Sequence, residues 1–330
     1  MNTRQEARPP VYQRPSPWVW GLFLALALPI SPAMAQTGTY TIRLGDTLWG
    51  IARNQGLSLE QIFSLNPGLR SNPDLILIGQ VLRVPAPVQS ASVGLPPKPV
   101  RTTSQRRSAF SSLNLPATVR QGNRVAAARR GPGCAVSPQD KPSVLLPTTN
   151  FGLTLQDYPT FFWYLPALTA ANIPVSFQLR EASRNGAVLY ETTFPSPGSG
   201  LSSLTLPPEA PPLKEGQEYE WSITVQCKEE PDTWMTAFGR IQRMSTDNPS
   251  LTSALSQAPL EDYPAILAEA GVWYDALQTL AALRRTNPTS LDLSRDWVGL
   301  LERVGFSDIA EAPFQCVQPR PDGGLSRCSP

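Results

Sequence analysis

The sequence predicts an α+β multidomain chain: a small βααβ module, a disordered linker, then an antiparallel immunoglobulin-like β-sandwich followed by C-terminal helices. Three observations lead there. Over residues 39–84 a period-two apolar run gives way to two helical stripes and then to a second short strand pattern. From 86 to 142 large apolar residues thin out while Pro, Ser and Arg accumulate. From 143 onward short strand-like runs alternate with Pro/Gly/Ser turns, and after Asn248 the period becomes helical. The 36 prolines and 22 glycines are concentrated in particular stretches, as expected of small cores joined by extended segments.

Residues 1–35 read as a secretory signal. Arg4, Arg8 and Arg14 form the positive region, 18–28 is apolar, and Ala33-Met34-Ala35 is an A-x-A cleavage site before Gln36. An uncleaved anchor is the competing reading, but a bilayer takes ~20 apolar residues and Pro29 and Pro32 interrupt the end of this run. The expectation is therefore an exported protein of the periplasm or cell wall, with no permanent membrane span after cleavage. The formal net charge of +2 supplies no field for nucleic acid, which is not expected as a partner.

Within residues 36–85, Tyr40, Ile42 and Leu44 alternate as in a strand that ends at Gly45 and Asp46. Asp46 or Thr47 can cap a helix carrying Leu48, Ile51 and Ala52, which Gly56 stops. Ser58 opens a second helix with Gln61 as capping-box partner, and Leu59, Ile62, Phe63 and Leu65 line its stripe until Asn66-Pro67-Gly68. Residues 81–84 form the closing strand.

The marks YTI, GDTLWGIA, the helix Leu-x-x-Ile-x-x-Leu-Asn and IGQVLRVP cover the whole module, and together they resemble the LysM family. That resemblance implies binding, without cleavage, of glycans built from N-acetylglucosamine, such as peptidoglycan or chitin. It also implies a groove with Gly45, Asp46, Thr47 and Leu48 on one wall and Asn72, Asp74, Leu75 and Ile76 on the other. Turn backbone groups would meet N-acetyl groups, while Leu48, Leu75 and Ile76 would meet the apolar sugar face. Asp46 has the competing role of helix cap, in which its loss lowers stability rather than affinity.

The linker, 86–142, carries Lys98, Arg101, Arg106, Arg107, Arg120, Arg124, Arg129 and Arg130 with almost no acid. As a coil it would span ~40 Å and hold the later domain away from the glycan. Its charges, diluted by Pro and Gly, read as solvation more readily than as a grip on anionic polymer.

In the segment 143–247, the run Phe161-Phe162-Trp163-Tyr164-Leu165 reads as a strand buried on both sides. Further strands fit 175–180, 188–194, 201–206, 218–227 and part of 234–244. In 218–227, Tyr219, Trp221, Ile223, Val225 and Cys227 alternate with polar partners, so one face packs and one meets water. The aromatics could stack on sugars, but their place within strand patterns favours the core. In the helical extension 248–312, Trp273, Ala276, Leu277, Leu280 and Leu283 share a face, and Ser294 can cap a helix bearing Trp297, Leu300, Leu301 and Val304. AGVWYDALQTLAALRRTNP resembles one arm of a tetratricopeptide repeat. A single arm cannot bury its own face, so the pair is expected to pack on the sandwich.

Four cysteines in an exported chain (Cys134, Cys227, Cys316, Cys328) are disulfide candidates with three connectivities. Cys316 with Cys328, close in sequence, would staple the tail 313–330, alongside Cys134 with Cys227. No histidine is present, which removes the usual Ser-His-Asp, Cys-His and His-zinc chemistries; no metal or cofactor is expected. The remaining enzymatic reading is a carboxylate-dependent cell-wall glycosidase drawing on acids such as Glu218, Glu220, Asp262 or Asp275, which read equally as surface or helix-end residues.

ARRGPGC, GLTLQDYPTFFWYLP, EWSITVQC and AGVWYDALQTLAALR occur in an order similar to the cyanobacterial family called domain of unknown function 928, over about residues 134–312. That resemblance supports the Cys134–Cys227 pairing and offers no activity. The expectation is a non-catalytic envelope protein, anchored on peptidoglycan by its first module and presenting a C-terminal interaction domain to an envelope protein partner.

Overall fold

The computed structural model of the chain describes residues 37–70, 76–85, 105, 110, 113, 120, 123–129, 134–137, 139–183, 185–227, 233–319 and 325–327. The signal expected over 1–35 lies outside them. The fold is mixed α+β, mostly strands, with helices in the first module and after the large sheets.

The first module follows the pattern read from its apolar spacing. Strand β1 (Thr37–Thr41) pairs antiparallel with β2 (Val81–Pro85), Tyr40 opposite Leu82. Between them lie α1 (Leu48–Asn54) and α2 (Leu59–Leu65). The capping box forms at α2: the Gln61 amide donates to Ser58 Oγ (3.2 Å) and the Ser58 amide to Gln61 Oε1 (2.7 Å). Asn66 then ties the end of α2 to β2, donating to Arg83 O (2.7 Å) and accepting from Arg83 N (2.9 Å). Ile42, Leu48, Ile51, Ile62, Leu82 and Val84 form a small core of their own.

The larger body carries β3 (Ala127–Arg129), β4 (Ser143–Val144), β5 (Phe151–Thr154), β6 (Thr160–Leu165), β7 (Pro174–Glu181), β8 (Val188–Pro195), β9 (Gly200–Thr205), β10 (Glu218–Gln226) and β11 (Trp234–Arg243). Helices α3 (Pro249–Ser256), α4 (Tyr263–Glu269), α5 (Trp273–Thr286) and α6 (Leu291–Arg303) follow, then β12 (Phe314–Pro319) and β13 (Leu325–Arg327). One sheet runs β3-β11-β10-β7-β8 with β5 also on β11; the other runs β13-β12-β9-β6-β4. Their aromatic faces meet: the Phe161 ring on β6 lies 5.0 Å from Phe177 on β7 and 4.9 Å from Trp221 on β10. Both faces of β6 are covered, since Phe162 points the other way onto Phe314 at 6.1 Å. On β10 the alternation holds, with Tyr219, Trp221, Ile223 and Val225 buried and Glu220, Ser222 and Thr224 half-buried.

The helices pack on the sheets through α5. Trp273 donates from Nε1 to Leu145 O (2.9 Å), and Trp221 Nε1 donates to the Tyr274 hydroxyl (2.7 Å). Gly152 on β5 permits this approach, because a Cβ there would stand 2.7 Å from the Tyr274 ring.

Several expectations are corrected. The sheets are not purely antiparallel: β5 runs parallel to β11, and β12 parallel to β9. In each case a long excursion separates the partners, as a parallel pair requires. The linker expected to be disordered through residue 142 enters the fold near its end. β3 pairs with β11, Arg120 bonds Glu218 (3.1 Å), and Arg124 donates to Leu146 O (2.9 Å) and Val304 O (2.6 Å). These backbone pairings and half-buried guanidinium contacts outweigh a composition that looks unfolded. The tail 313–330 likewise supplies β12 and β13 to the second sheet. The cap of α6 is Ser290, whose Oγ accepts from Leu293 N (3.3 Å); Ser294 sits inside the helix. Cys134 and Cys227 form a disulfide, while the Cys316–Cys328 pairing lies outside the described residues.

Candidate functional site

The turn between β1 and α1 is built from the residues that the sequence singled out. Gly45 takes φ +83°, a left-handed value that suits glycine. The Asp46 carboxylate closes the turn by accepting from Arg43 N (2.7 Å) and the Tyr40 hydroxyl (2.9 Å). The helix-cap role offered to Asp46 belongs instead to Thr47, whose Oγ1 accepts from Gly50 N at 2.9 Å. Leu48, expected to meet a sugar face, is instead 2% exposed, because as the first residue of α1 it packs into the module core with Ile51, Ile62 and Leu82. Ile76 is half-buried against that core; Asn72, Asp74 and Leu75 lie outside the described residues.

The wall is not open. Thr47 Oγ1 donates to Asp157 Oδ1 (3.1 Å) of the larger body, and Arg53 Nη1 bonds the Tyr158 hydroxyl. Leu44 is buried in the large core rather than the module's own, and Leu77 and Ile78 pack against it too. Gly45 faces Leu155 O, which a Cβ would approach to 2.8 Å, and the Thr246 side chain. The spacer reading, which set the two folded parts apart, is thereby corrected: apolar residues at the module's turns find cover on the larger body. Gly45, Asp46 and Ile76 converge on a cleft of 60 Å³ whose far side is Leu155, Tyr263, Leu267 and Asp275. That is room for a few water molecules, against the ~300–1,000 Å³ of sites that enclose small organic ligands.

Two acids, Asp46 and Asp275, line the cleft, and Asp157 lies against α1 nearby. Burial raises the pKa of Asp46 above its usual value against the hydrogen bonds from Arg43 and Tyr40. Burial likewise raises Asp157, opposed by the Arg243 charge. Tyr40 is pushed up to about 12 by burial and then by the Asp46 charge beside it, and Tyr263 to about 12 by burial. Asp275 reaches about 7, chiefly from burial, although Thr154 Oγ1 (2.7 Å) and Leu155 N (3.2 Å) donate to it.

Such a value would suit a general acid. The geometry does not: Asp275 is 5% exposed, held by Thr154 and Leu155, and borders a space too small for a sugar ring. Glu218 and Glu220 are bracketed by arginines, Glu218 by Arg120 and Arg240 (3.0 Å), Glu220 by Arg240 (3.3 Å) and Arg180 (3.9 Å). They serve a surface ion-pair network. Asp262 is buried at the position just before α4. Among the described residues no group of three His, Cys, Asp or Glu gathers for a metal, and no helix is long and apolar enough to cross a membrane.

A larger cavity of about 580 Å³ lies at the disulfide end of the first sheet, lined by Pro174, Thr224, Gln226, Trp234 and Thr236 beside Cys227. Most aromatics singled out in the sequence are core: Trp163, Trp221, Trp273 and Trp297 are all below 2% exposure. Sequence reasoning missed the contact residues Asp157, Tyr158, Leu77 and Ile78. One signal was available: Leu77, an apolar residue just before the IGQVLRVP mark that the strand and helix stripes of the module leave unused.

A family model described as Domain of Unknown Function (DUF928) matches residues 125–314, and a LysM domain model matches residues 40–85. No curated protein and no solved structure matches the chain.

Proposed function

This chain belongs to the DUF928 family and carries a LysM domain, and on that premise we propose a non-catalytic, exported protein of the periplasm or cell wall. Its LysM domain binds N-acetylglucosamine-containing glycan, peptidoglycan above all, and its DUF928 part is presented for interaction with an envelope protein. The observation that carries the reading is the LysM match over 40–85, coincident with a closed βααβ core and its Gly45-Asp46-Thr47 turn. Gly45, Asp46, Thr47 and Ile76 are the described positions that the LysM likeness assigns to the groove. Export rests on the Arg-rich, apolar and A-x-A order of residues 1–35 and agrees with the Cys134–Cys227 disulfide.

The DUF928 part reads as an immunoglobulin-like sandwich. The orders β4-β6-β9 and β8-β7-β10-β11 follow the A-B-E and C′-C-F-G pairings of that fold. Tyr219, at the start of β10, accepts from Lys214 N at 2.9 Å, the arrangement of a tyrosine corner. Such a scaffold offers surfaces rather than a reaction centre.

Co-sedimentation of the mature chain with purified peptidoglycan sacculi tests the glycan reading. Retention that soluble N-acetylglucosamine tetramer competes away supports it. Retention no greater than that of a control protein, or indifferent to the tetramer, removes it. Cell-wall gel zymography is expected to leave no cleared band.

A further inference from the structure

We propose that the segment 155–158 of the DUF928 part is an intramolecular competitor for the glycan, so that glycan capture by the LysM domain requires its release from the larger body. The inference rests on the glycan reading of the LysM domain and names how that site is regulated.

Three sets of contacts hold the docked state, along α1 and at the turns beside it. Asp157 Oδ1 accepts a hydrogen bond from the Thr47 hydroxyl at 3.1 Å, and the carboxylate lies so close to the first turn of α1 that a Cβ on Gly50 would stand 2.8 Å from its Oδ2. An acceptor offered by a sugar to this turn competes directly with that carboxylate. Tyr158, fully buried, bonds Arg53 at the other end of α1. Leu44, Leu77 and Ile78 flank the turn and bury apolar surface in the large core. The 60 Å³ cleft between Gly45-Asp46 and the docked body is too small for a sugar ring, so a glycan that engages this turn displaces the docked segment. Glycan therefore binds only the undocked fraction, and the apparent dissociation constant exceeds the intrinsic one by the reciprocal of that fraction. Conversely, glycan binding bares Leu155, Asp157 and Tyr158.

Calorimetric titration of the mature chain with N-acetylglucosamine tetramer tests this on the wild type and on Asp157→Ala/Tyr158→Phe, which removes both polar contacts and keeps the buried ring. The double variant is expected to bind about tenfold tighter, ~1.4 kcal/mol by conversion, which is the scale of two net hydrogen bonds. Equal or weaker binding by the variant overturns the competition and leaves the glycan reading standing. Absence of binding by both removes the glycan reading, and the competition with it. Hydrogen exchange on the wild type gives a second readout that needs no variant. Amides of 155–158 are expected to exchange faster with saturating tetramer; unchanged or slower exchange overturns the proposal.

Discussion

Replacing Asp275 with Asn should flatten the pH dependence of stability. The carboxyl is buried on α5, accepts from Thr154 Oγ1 and Leu155 N, and has its pKa raised from 3.8 to about 7, chiefly by burial. The folded protein therefore holds this proton more tightly than the unfolded chain does. Stability from this group is fully present below the unfolded value and is lost as pH climbs toward 7. Each pKa unit corresponds to ~1.4 kcal/mol, so the change between pH 5 and pH 8 is roughly 2–3 kcal/mol as a ceiling. Asparagine keeps an acceptor for Thr154 and cannot ionise. Asp46 and Asp157, raised by burial in the same direction, give a slope common to both proteins, so the difference between them isolates Asp275. Urea unfolding at the two pH values, with the disulfide intact, measures that difference. A gap that moves by less than ~1 kcal/mol would refute the reasoning, as would a wild type that gains stability from pH 5 to 8 for which the variant does not account.

Other expectations follow from single contacts. Arg124→Ala removes the donor to Leu146 O and to Val304 O at the end of α6, together with stacking on Phe306 at 4.4 Å, and should cost about 1–3 kcal/mol in chemical unfolding. Tyr219→Phe leaves the ring in the core and strips its bond from Lys214 N, for about 1 kcal/mol and a lower melting temperature. Loss of the Cys134–Cys227 disulfide by double Ser substitution frees a separation of 93 residues; loop entropy puts the loss at about 4–5 kcal/mol, read as a fall in the urea midpoint.

What could be read from the sequence was local. The Ser58–Gln61 capping box and the alternation from Tyr219 to Val225 are fixed by neighbours within a few residues, and the structure repeats them. Ser290 and Ser294 show the limit: both are plausible caps, and the choice falls on the one whose first turn lets Leu293, Trp297 and Leu300 face the body together. β3 and β12 were invisible because a strand of few residues owes its existence to the edge it joins, here β11 and β9. At the site, Gly45, Asp46 and Thr47 were legible as turn chemistry. Their cover was not, since Asp157 lies 110 residues beyond Thr47 and a single acid in a loop carries no pattern. The carboxylates were legible as residue types only; burial and arginine partners, which decide their chemistry, are properties of the folded chain.

The position of β12 bears on how the protein comes into being. Its partner β9 ends at Thr205, and more than a hundred residues of hairpin and helix are made before Phe314 arrives to lie along it and cover Phe162. Until then the β9 edge and the outward ring of β6 stand bare, an open template for another chain. Completion of the second sheet thus waits for nearly the whole polypeptide to emerge. A contact of such long range closes late, and chains cut before residue 314 should aggregate rather than fold as shortened versions of the native protein.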